Sequence, residues 1–586
     1  MSIRLITILL YSLYVLAPIA NAQIMSGSIG GTVTDSTGAM VAEATLTLTH
    51  ISTGVARKGV SDATGNFLFN GVEGGEFNLR IEKTGFKALE RRSINLSTGD
   101  RLSLGNVMLD VGAVNETVSV SANVAQVQTT SSERSDVMTG KQIEDTLVQG
   151  RNVTDLVSLV PGIYMDSSAT SLSGSVSFYA QGSRNTANNI SIDGVFATDL
   201  GSATSTKAVV SMGAVGEVKV LVSNYQAEYG RMSGSNIEIV TKSGGRAFHG
   251  SGEYFLRREW LNANTFFNNR NGQQRPLSRF NTITYNIGGP IFIPGVFNKD
   301  KQRLFFFWNQ EYWPTKATSN GTVTMPTAIE RSGDFSQSVT LAGALVPVRD
   351  PFNNNAQFPG NIIPKTRIDP SGQALLNMFP LPNFTNRAVS LGNYNYVFAS
   401  PVSNTQLSDT LKVDYNFNSN NILTWSFSYF NNPQIGASGA GNSANWPQLN
   451  WSLTNHPTTS SVRYMRIFSA TLLNEFRVGG LTQPVDTSTT AEDLKTNQRS
   501  AIGFLAGQLY PSANPLDVVP NATFGGITGA ANLNIESRFP RYNRYQILSF
   551  TDNLTWTRGK HIVKAGFYYE LPWQAPLLQP VRLATF

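Results

Sequence analysis

The sequence contains no cysteine, and it has only four histidines in 586 residues. The first absence excludes disulfide bonds, thiolate nucleophiles, Cys-ligated zinc and iron–sulfur clusters. His50, His249, His456 and His561 are far apart along the chain, and no zinc-protease, P-loop or Gly-x-Ser-x-Gly spacing occurs. We therefore expect no catalytic, cofactor-binding or metal-binding residue, and the sequence predicts a protein that is not an enzyme.

Charge is also scarce, because Lys, Arg, Asp and Glu make up 14% of the chain against about 25% in average soluble domains. The net charge of +6 is dispersed, so no nucleic-acid partner is indicated. Beyond residue 22 no apolar run reaches the roughly 20 residues of a membrane-spanning helix. Glycine, uncharged polar residues and aromatics replace the charged residues. That mixture is typical of a mainly β protein with one strand face against lipid.

Residues 1–22 have the pattern of a signal peptide. A single positive charge precedes an apolar run, which ends in the small-x-small site Ala20-Asn21-Ala22. We expect cleavage after Ala22, which leaves Gln23 at the mature N-terminus. An uncleaved signal anchor is the alternative. The pattern predicts an exported protein.

Residues 23–112 contain short alternating strands separated by turn residues, which is the pattern of a β-sandwich. The turns Asp35-Ser36-Thr37-Gly38 and Asp62-Ala63-Thr64-Gly65, with the later stretch GGEFNLRIEKTGF, resemble the carboxypeptidase regulatory-like domain. The resemblance implies a non-catalytic, seven-stranded sandwich that is similar in fold to some carbohydrate-binding modules. A structural role and a glycan-binding role both stay open.

Residues 113–245 carry the ordered motifs QGSRN, ISIDGV, AEYGR and GSNIEIVTKSG. This series resembles the plug domain of TonB-dependent receptors, a small α/β unit inside a barrel. The preceding segment, Glu116-Thr117-Val118-Ser119-Val120-Ser121-Ala122, resembles the TonB box, with which such receptors engage the energy-coupling protein TonB by strand addition. The alternative is that this segment is the last strand of the sandwich. Leucine spacing predicts a helix over 143–160.

Residues 246–586 alternate apolar and polar side chains in segments of about ten residues, as transmembrane β-strands do. In 411–417 the odd-numbered residues are apolar, whereas Lys412, Asp414 and Asn416 are polar. A soluble sandwich with one polar face is the alternative. A long loop over 316–406 is expected to be extracellular. We count about nine strands of this kind, near 247–257, 280–292, 303–315, 408–418, 421–431, 458–469, 471–482, 543–557 and 560–571.

Three further motifs, RLFFFW, NEFR and DNLTWTRGKH, resemble the Oar-like branch of TonB-dependent receptors. That branch joins an N-terminal sandwich to a plug and a very large barrel. Because plug-containing transporters have barrels of about 22 strands, we expect the chain to stop in mid-barrel at Phe586, as a truncated product or a fragment.

These patterns together predict a mainly β fold: an N-terminal seven-stranded β-sandwich, a small α/β plug domain and a partial transmembrane antiparallel β-barrel. The resemblance implies a receptor or transporter of the cell outer membrane that takes up an extracellular ligand by energy-coupled plug displacement. Its implied partners are a TonB-type protein, outer-membrane lipid and the barrel-assembly machinery. Glycan and peptide both stay open as ligands. The alternative function is a surface adhesion or carbohydrate-binding protein that uses the sandwich.

Overall fold

The computed structural model describes residues 26–112, 117–121, 132–148, 150–165, 178–199, 209–270, 272–436, 443–536, 539–559 and 561–575. The predicted signal peptide, with Ala22 and Gln23, lies outside these residues. Among the described residues, no helix is long and apolar enough to cross a membrane.

The N-terminal unit is a sandwich of two sheets with strand orders β4-β1-β7 and β3-β2-β5-β6-β8. Leu46, Leu48, Leu79 and Ile81 alternate along the larger sheet and are buried between the two layers. The sandwich contains the seven expected strands and an eighth strand, β8, which lies beyond the predicted domain boundary at residue 112. The strands are β1 (Gly27–Asp35), β2 (Thr45–His50), β3 (Ala56–Val60), β4 (Asn66–Val72), β5 (Gly75–Glu82), β6 (Ala88–Leu96), β7 (Arg101–Leu109) and β8 (Thr117–Ser121).

The two predicted turns of the sandwich have the same construction. The Asp35 carboxylate accepts from the backbone N–H of Thr37 at 2.8 Å and of Ala39 at 2.9 Å. The Asp62 carboxylate accepts from the N–H of Thr64 at 2.8 Å and of Asn66 at 2.9 Å. Such Asp side chains satisfy the N–H groups that a tight turn leaves unpaired, so these positions end one strand and start the next.

The plug contains a five-stranded mixed sheet with the order β13-β12-β15-β14-β9. The predicted helix over 143–160 is wrong, because the backbone turns extended at Thr146 and Asn152 caps a separate 3₁₀ helix, Val153–Leu159. Leu147 and Leu159 are consequently exposed rather than on one buried helix face. The elements are β9 (Arg134–Thr139), α1 (Gly140–Asp145), β10 (Ile163–Met165), β11 (Phe178–Ala180), β12 (Asn189–Ile192), β13 (Val195–Phe196), β14 (Val215–Ser223) and β15 (Asn236–Thr241).

The remaining residues form a large antiparallel sheet in which nine long strands follow one another, each beside the next, within the described residues. All nine predicted strands are confirmed. Their connections are short on one side of the sheet, at 291–303, 419–420, 470–471 and 559–560, and longer on the other. The long strands are β16 (His249–Arg257), β17 (Ser278–Pro290), β18 (Leu304–Val323), β21 (Tyr396–Asn418), β22 (Asn421–Asn431), β25 (Thr458–Ser469), β26 (Leu472–Ser488), β27 (Arg541–Arg558) and β28 (His561–Gln574).

The long loops carry the shorter elements, and β18 and β21 extend farther than predicted. The first loop therefore covers 324–395 rather than 316–406. The shorter elements are α2 (Phe266–Arg270), α3 (Ala328–Arg331), β19 (Arg349–Asp350), β20 (Ala356–Gln357), α4 (Pro370–Asn377), α5 (Arg387–Ser390), β23 (Gln434–Gly436), β24 (Trp451–Asn455), α6 (Ala491–Lys495) and α7 (Arg499–Ile502).

Three of the long loops pack into one cap. Met325 of loop 324–395, Trp446 of loop 432–457 and Leu533 of loop 489–540 share a buried apolar cluster. The Trp446 indole N–H donates to the carbonyl of Asn532 at 2.7 Å. Because these contacts join loops from three different hairpins, the long-loop side of the sheet is covered by an ordered structure.

The two faces of the sheet differ as a membrane sheet requires. Trp425 on β22 and Leu554 on β27 lie on the exposed face, whereas Thr424 and Asn553 beside them point inward and are buried. The apolar Phe307 on β18 breaks the pattern because it packs into the plug core. An apolar outer face with a polar inner face is the arrangement of outer-membrane barrels.

Candidate functional site

The segment predicted to bind TonB lies at the edge of the sandwich. Thr117–Ser121 forms β8, which pairs in parallel with β6, while Glu116 and Ala122 lie outside the described residues. Val118 packs against the sandwich core and Ser119 is exposed. The segment therefore occupies the position of the alternative interpretation, the last strand of the sandwich. It is also an extended strand at a sheet edge, which strand addition requires, and its binding to TonB stays a prediction.

The sandwich lies on the short-turn side of the barrel sheet. Asn70 donates from Nδ2 to Oγ1 of Thr557 at 2.9 Å and to the carbonyl of Ala470 at 3.3 Å. Glu73 forms an ion pair with Arg463 on β25. In outer-membrane barrels the short turns face the periplasm and the long loops face the outside. The sandwich, and β8 with it, is therefore on the periplasmic side.

The chain after β8 leads to β9, an edge strand of the plug sheet. Lys219 on the neighbouring β14 is fully buried, and its Nζ lies 3.1 Å from the Glu133 carboxylate and 2.8 Å from the Asp100 carboxylate. Burial lowers the pKa of Lys219, but the carboxylates of Asp100 and Glu133 outweigh it and raise the pKa above its usual value. One lysine thus joins the sandwich, the start of β9 and the plug sheet.

The plug meets the inward face of the barrel sheet through ion pairs. Buried or half-buried pairs of this kind lose much of their attraction to the cost of desolvation, so they fix position more than they add stability. Apolar contacts accompany them, because Phe307 and Leu481 of the wall pack into the plug core. The pairs are Arg151–Glu311 at 3.1 Å, Asp193–Lys412 at 3.6 Å, Glu228–Lys564 at 2.5 Å and Arg231–Glu570.

The Ile-Asp-Gly turn of the plug motif forms part of this contact. Asp193 and Gly194 both have positive φ, +46° and +75°, as expected for the glycine. The Asp193 carboxylate accepts from the N–H and hydroxyl of Thr241 at 3.0 and 2.7 Å. Lys412 in the barrel wall donates to the Thr241 carbonyl at 3.0 Å. The turn therefore joins β15 of the plug to the wall.

The pKa values of two carboxyl groups of the plug near this junction are raised. Glu238 on β15 is 3% exposed, and neither of its oxygens has a hydrogen-bond partner among the described residues. Burial raises the pKa of Glu238 to about 7, against the opposing charges of Lys219 and Arg477. Burial likewise raises the pKa of Glu217 to about 7, although this group accepts from the N–H of Thr98. Both buried carboxyl groups therefore hold a proton more tightly than an exposed glutamate does.

A cavity of about 620 Å³ lies where the sandwich, the plug and the barrel wall meet. Its lining includes His50 and Glu73 from the sandwich, Asp193 and Lys242 from the plug, and Lys412 from the wall. Charged groups of both signs favour water and polar solutes over an apolar molecule. The cavity thus has charged groups of both signs in its wall and lies on the periplasmic side of the plug.

The sandwich aromatics bear on the glycan-binding alternative. Phe67, Phe69 and Phe77 are buried in the sandwich core. Sugar rings stack on exposed aromatic faces, so these three rings cannot form such a surface. The glycan-binding alternative thus gains no support from them.

The sequence interpretation did not single out Lys219, Lys412 or Arg477 as functional. A signal was present, because Lys412 and Arg477 stand at inward positions of alternating strands, where Ser, Thr and Asn predominate. Charge at such positions indicates a partner inside the barrel. Lys219 had no comparable signal, since a lysine in a short apolar strand is also consistent with an exposed edge.

Three family models match the chain in order. The carboxypeptidase regulatory-like domain matches residues 28–110, the TonB-dependent receptor plug domain residues 127–235, and an outer membrane beta barrel domain residues 240–580. The TonB-dependent transporter Oar of Myxococcus xanthus is 28% identical over 234 residues, which are 39% of this chain and 21% of that protein. The match thus spans about a fifth of the length of this curated relative.

Solved structures of outer-membrane receptors are also similar, at low identity. The outer membrane transporter YddB from Escherichia coli has a TM-score of 0.44 and 13% identity, over 75% of this chain and 48% of that one. The siderophore receptor PirA from Acinetobacter baumannii has a TM-score of 0.40 and 13% identity, over 74% and 47%. Since the barrel model alone matches more than half of the sequence and follows a plug model, the chain belongs to the family of TonB-dependent outer-membrane receptors.

Proposed function

We propose that this protein imports a ligand across the outer membrane by energy-coupled displacement of its plug. The observation that carries the proposal is the placement of β8, an extended strand on the periplasmic side that continues along the chain to the edge strand of the plug. A TonB-type protein reaches a receptor from the periplasm, so β8 is accessible from the correct side.

The strand order of the plug sheet favours a release of the plug that starts at β9, the edge strand that follows β8 along the chain. Among the described residues, β9 is paired with β14 alone, and Lys219 holds Glu133 at its start. A pull on the chain before β9 therefore acts first on the Lys219–Glu133 ion pair and on the β9–β14 pairing. It then acts on the ion pairs between the plug and the wall. No covalent chemistry is needed. The work comes from the inner-membrane proton gradient through the partner complex.

The ligand is proposed to bind the long-loop cap and the outer side of the plug. Asn445 is exposed and Asn532 half-buried, and the amide oxygen of each accepts from the backbone N–H of the other across two loops of the cap. A surface rich in uncharged amides suits a polar ligand, and both a glycan and a peptide fit this chemistry.

Residues 1–22 are proposed to direct export as a signal peptide and to be removed by cleavage after Ala22. N-terminal sequencing of the exported protein should start at Gln23. A membrane-anchored form that retains Met1 would contradict the cleavage site.

The coupling step can be tested on the purified full chain with the C-terminal domain of a TonB-type protein from the same organism. We expect the wild-type chain to bind, and Val118→Pro or Val120→Pro to weaken binding at least tenfold, because proline removes a backbone donor from the strand. Ser119→Ala is the matched control and should bind normally. Absence of binding by the wild-type chain would refute the assignment of residues 116–122.

A further inference from the structure

The free edge of the sandwich is formed by the same strand that is proposed to bind TonB. The parallel pairing of β8 with β6 runs without interruption from Ala88↔Thr117 to Arg92↔Ser121. Val118 lies against the sandwich core, so β8 is held by side-chain packing as well as by backbone hydrogen bonds. The segment is thus already ordered as a strand before any partner arrives.

One edge of β8 faces β6, and within the described residues no strand covers the other edge. Backbone N–H and C=O groups of a strand alternate between its two sides, so an edge strand keeps half of them for a further strand. An added strand can pair with β8 there without disturbing its pairing with β6.

We propose that the sandwich presents β8 as a preformed docking strand and that the TonB-type partner adds its own strand to the free edge. The result is one continuous sheet, with β8 between β6 and the partner. This inference rests on the proposed function, since it takes the TonB-type protein as the occupant. The sandwich then forms part of the receptor's coupling surface rather than a separate domain.

Two physical arguments favour addition over removal of β8. Removal would break the pairing with β6 and expose Val118, whereas addition keeps both contacts. A strand that is already ordered also binds without the entropy loss that a flexible segment suffers. A partner that had to detach β8 first would face both costs.

The test uses the double variant Glu90→Cys/Ser119→Cys in the full chain. These residues are directly opposite each other in the register, and Ser119 is exposed. Neighbouring strands lie about 4.8 Å apart, which is within the Cα separation that a disulfide accepts. Because the wild-type chain has no cysteine, the engineered disulfide is the sole one and locks β8 to β6.

We expect the oxidised and reduced forms to bind the TonB C-terminal domain with dissociation constants within twofold of each other. Ser119→Cys alone, treated with the same oxidant, is the matched control. A tenfold or greater loss of affinity on oxidation, reversed by dithiothreitol, would overturn the inference. It would show that β8 must leave the sandwich. Failure of the disulfide to form would overturn it as well.

Hydrogen exchange on the wild-type chain gives an independent readout. Strand addition predicts that the amides of β8 gain protection on binding, while those of β6 at residues 88–92 keep theirs. Loss of protection in β6 would indicate displacement and contradict the inference. If neither redox form binds the partner, the proposed function itself fails, and that outcome is distinct from the two above.

Discussion

Lys219 of the plug and Asp100 of the sandwich form an ion pair 2.8 Å long in which the lysine side chain is fully buried. Glu133, directly before β9, lies 3.1 Å from the same Nζ. The pair therefore connects two domains and the start of the strand that the coupling mechanism loads. Its loss should affect the stability of the junction and not only the charge of the surface.

We expect Lys219→Met to lower the free energy of unfolding by about 3–5 kcal/mol, because removing one partner leaves buried carboxylates without their counter-charge. Urea denaturation of the chain, followed by tryptophan fluorescence, measures this loss. Lys141→Met is the control, since Lys141 is exposed on α1, and it should change stability by less than about 0.5 kcal/mol.

Adding Asp100→Asn and Glu133→Gln to Lys219→Met should recover part of that loss, because the neutral amides no longer need the ammonium group. A loss below about 1 kcal/mol for Lys219→Met would contradict a buried charge pair at this position.

The buried Glu238 predicts a pH dependence of stability. Its pKa rises from 4.5 to about 7 on burial, so the folded state holds this proton more tightly than the unfolded state does. Stability from this group is therefore fully present below pH 4.5 and falls as the pH rises to about 7. The shift corresponds to roughly 3 kcal/mol.

Glu238→Gln keeps a neutral side chain at every pH, so it removes this loss. We expect the variant to be more stable than wild type at pH 8, by up to about 3 kcal/mol, and close to wild type at pH 4.5. The difference in urea midpoint between the two proteins measures the effect. An equal difference at both pH values would show that burial does not perturb Glu238.

Local patterning predicted most of this fold. The β27 sequence alternates so regularly that its inward and outward faces could be assigned without coordinates, and the turns at Asp35 and Asp62 follow from Asp and Gly spacing. The stretch Phe305-Phe306-Phe307 was less informative from alternation alone. Its inward rings are buried because the sandwich and plug cover this part of the wall, and that cover comes from residues far away in sequence.

The candidate site was predicted less completely for the same reason. Extended character at Thr117–Ser121 was readable, because Val and Thr favour strands. The sheet edge that this strand joins could not be predicted from the sequence, because the pairing between β6 and β8 depends on how the chain returns through β7. The junction of Lys219 with Asp100 likewise joins two domains, and sequence spacing carries no information on such a contact.

The Asp193-Gly194 turn provides a test of how the plug sits against the wall. A side chain on Gly194 would suffer from the positive φ of +75° and would also meet the guanidinium group of Arg477 on β26. We expect Gly194→Ala to lower the stability of the chain by more than about 1 kcal/mol and to increase cleavage of the plug by trypsin.

Gly182→Ala separates the two causes. Its φ is +73° and no atom lies within 4 Å of the added Cβ, so this variant carries backbone strain alone. We expect a smaller loss of stability and a trypsin pattern like that of wild type. Equal effects of the two variants would show that Gly194 has no special contact with the wall.

The position of the sandwich beneath the barrel turns can be tested with cysteines, because the chain has none of its own. Asn70 and Thr557 are 487 positions apart in sequence, yet their side chains are joined by a hydrogen bond of 2.9 Å. In Asn70→Cys/Thr557→Cys a short thiol crosslinker should connect the two sites and shift gel mobility, because the link closes a loop over most of the chain. Thr64→Cys/Thr557→Cys is the matched control, because Thr64 lies in the turn before β4 whereas Asn70 lies in the second half of that strand. The extended stretch from Asn66 to Asn70 alone separates the two by about 13 Å, at roughly 3.3 Å per residue. Crosslinking of the control pair as efficiently as the test pair would place the sandwich elsewhere. It would also remove the argument that β8 is held on the periplasmic side by contact with the barrel.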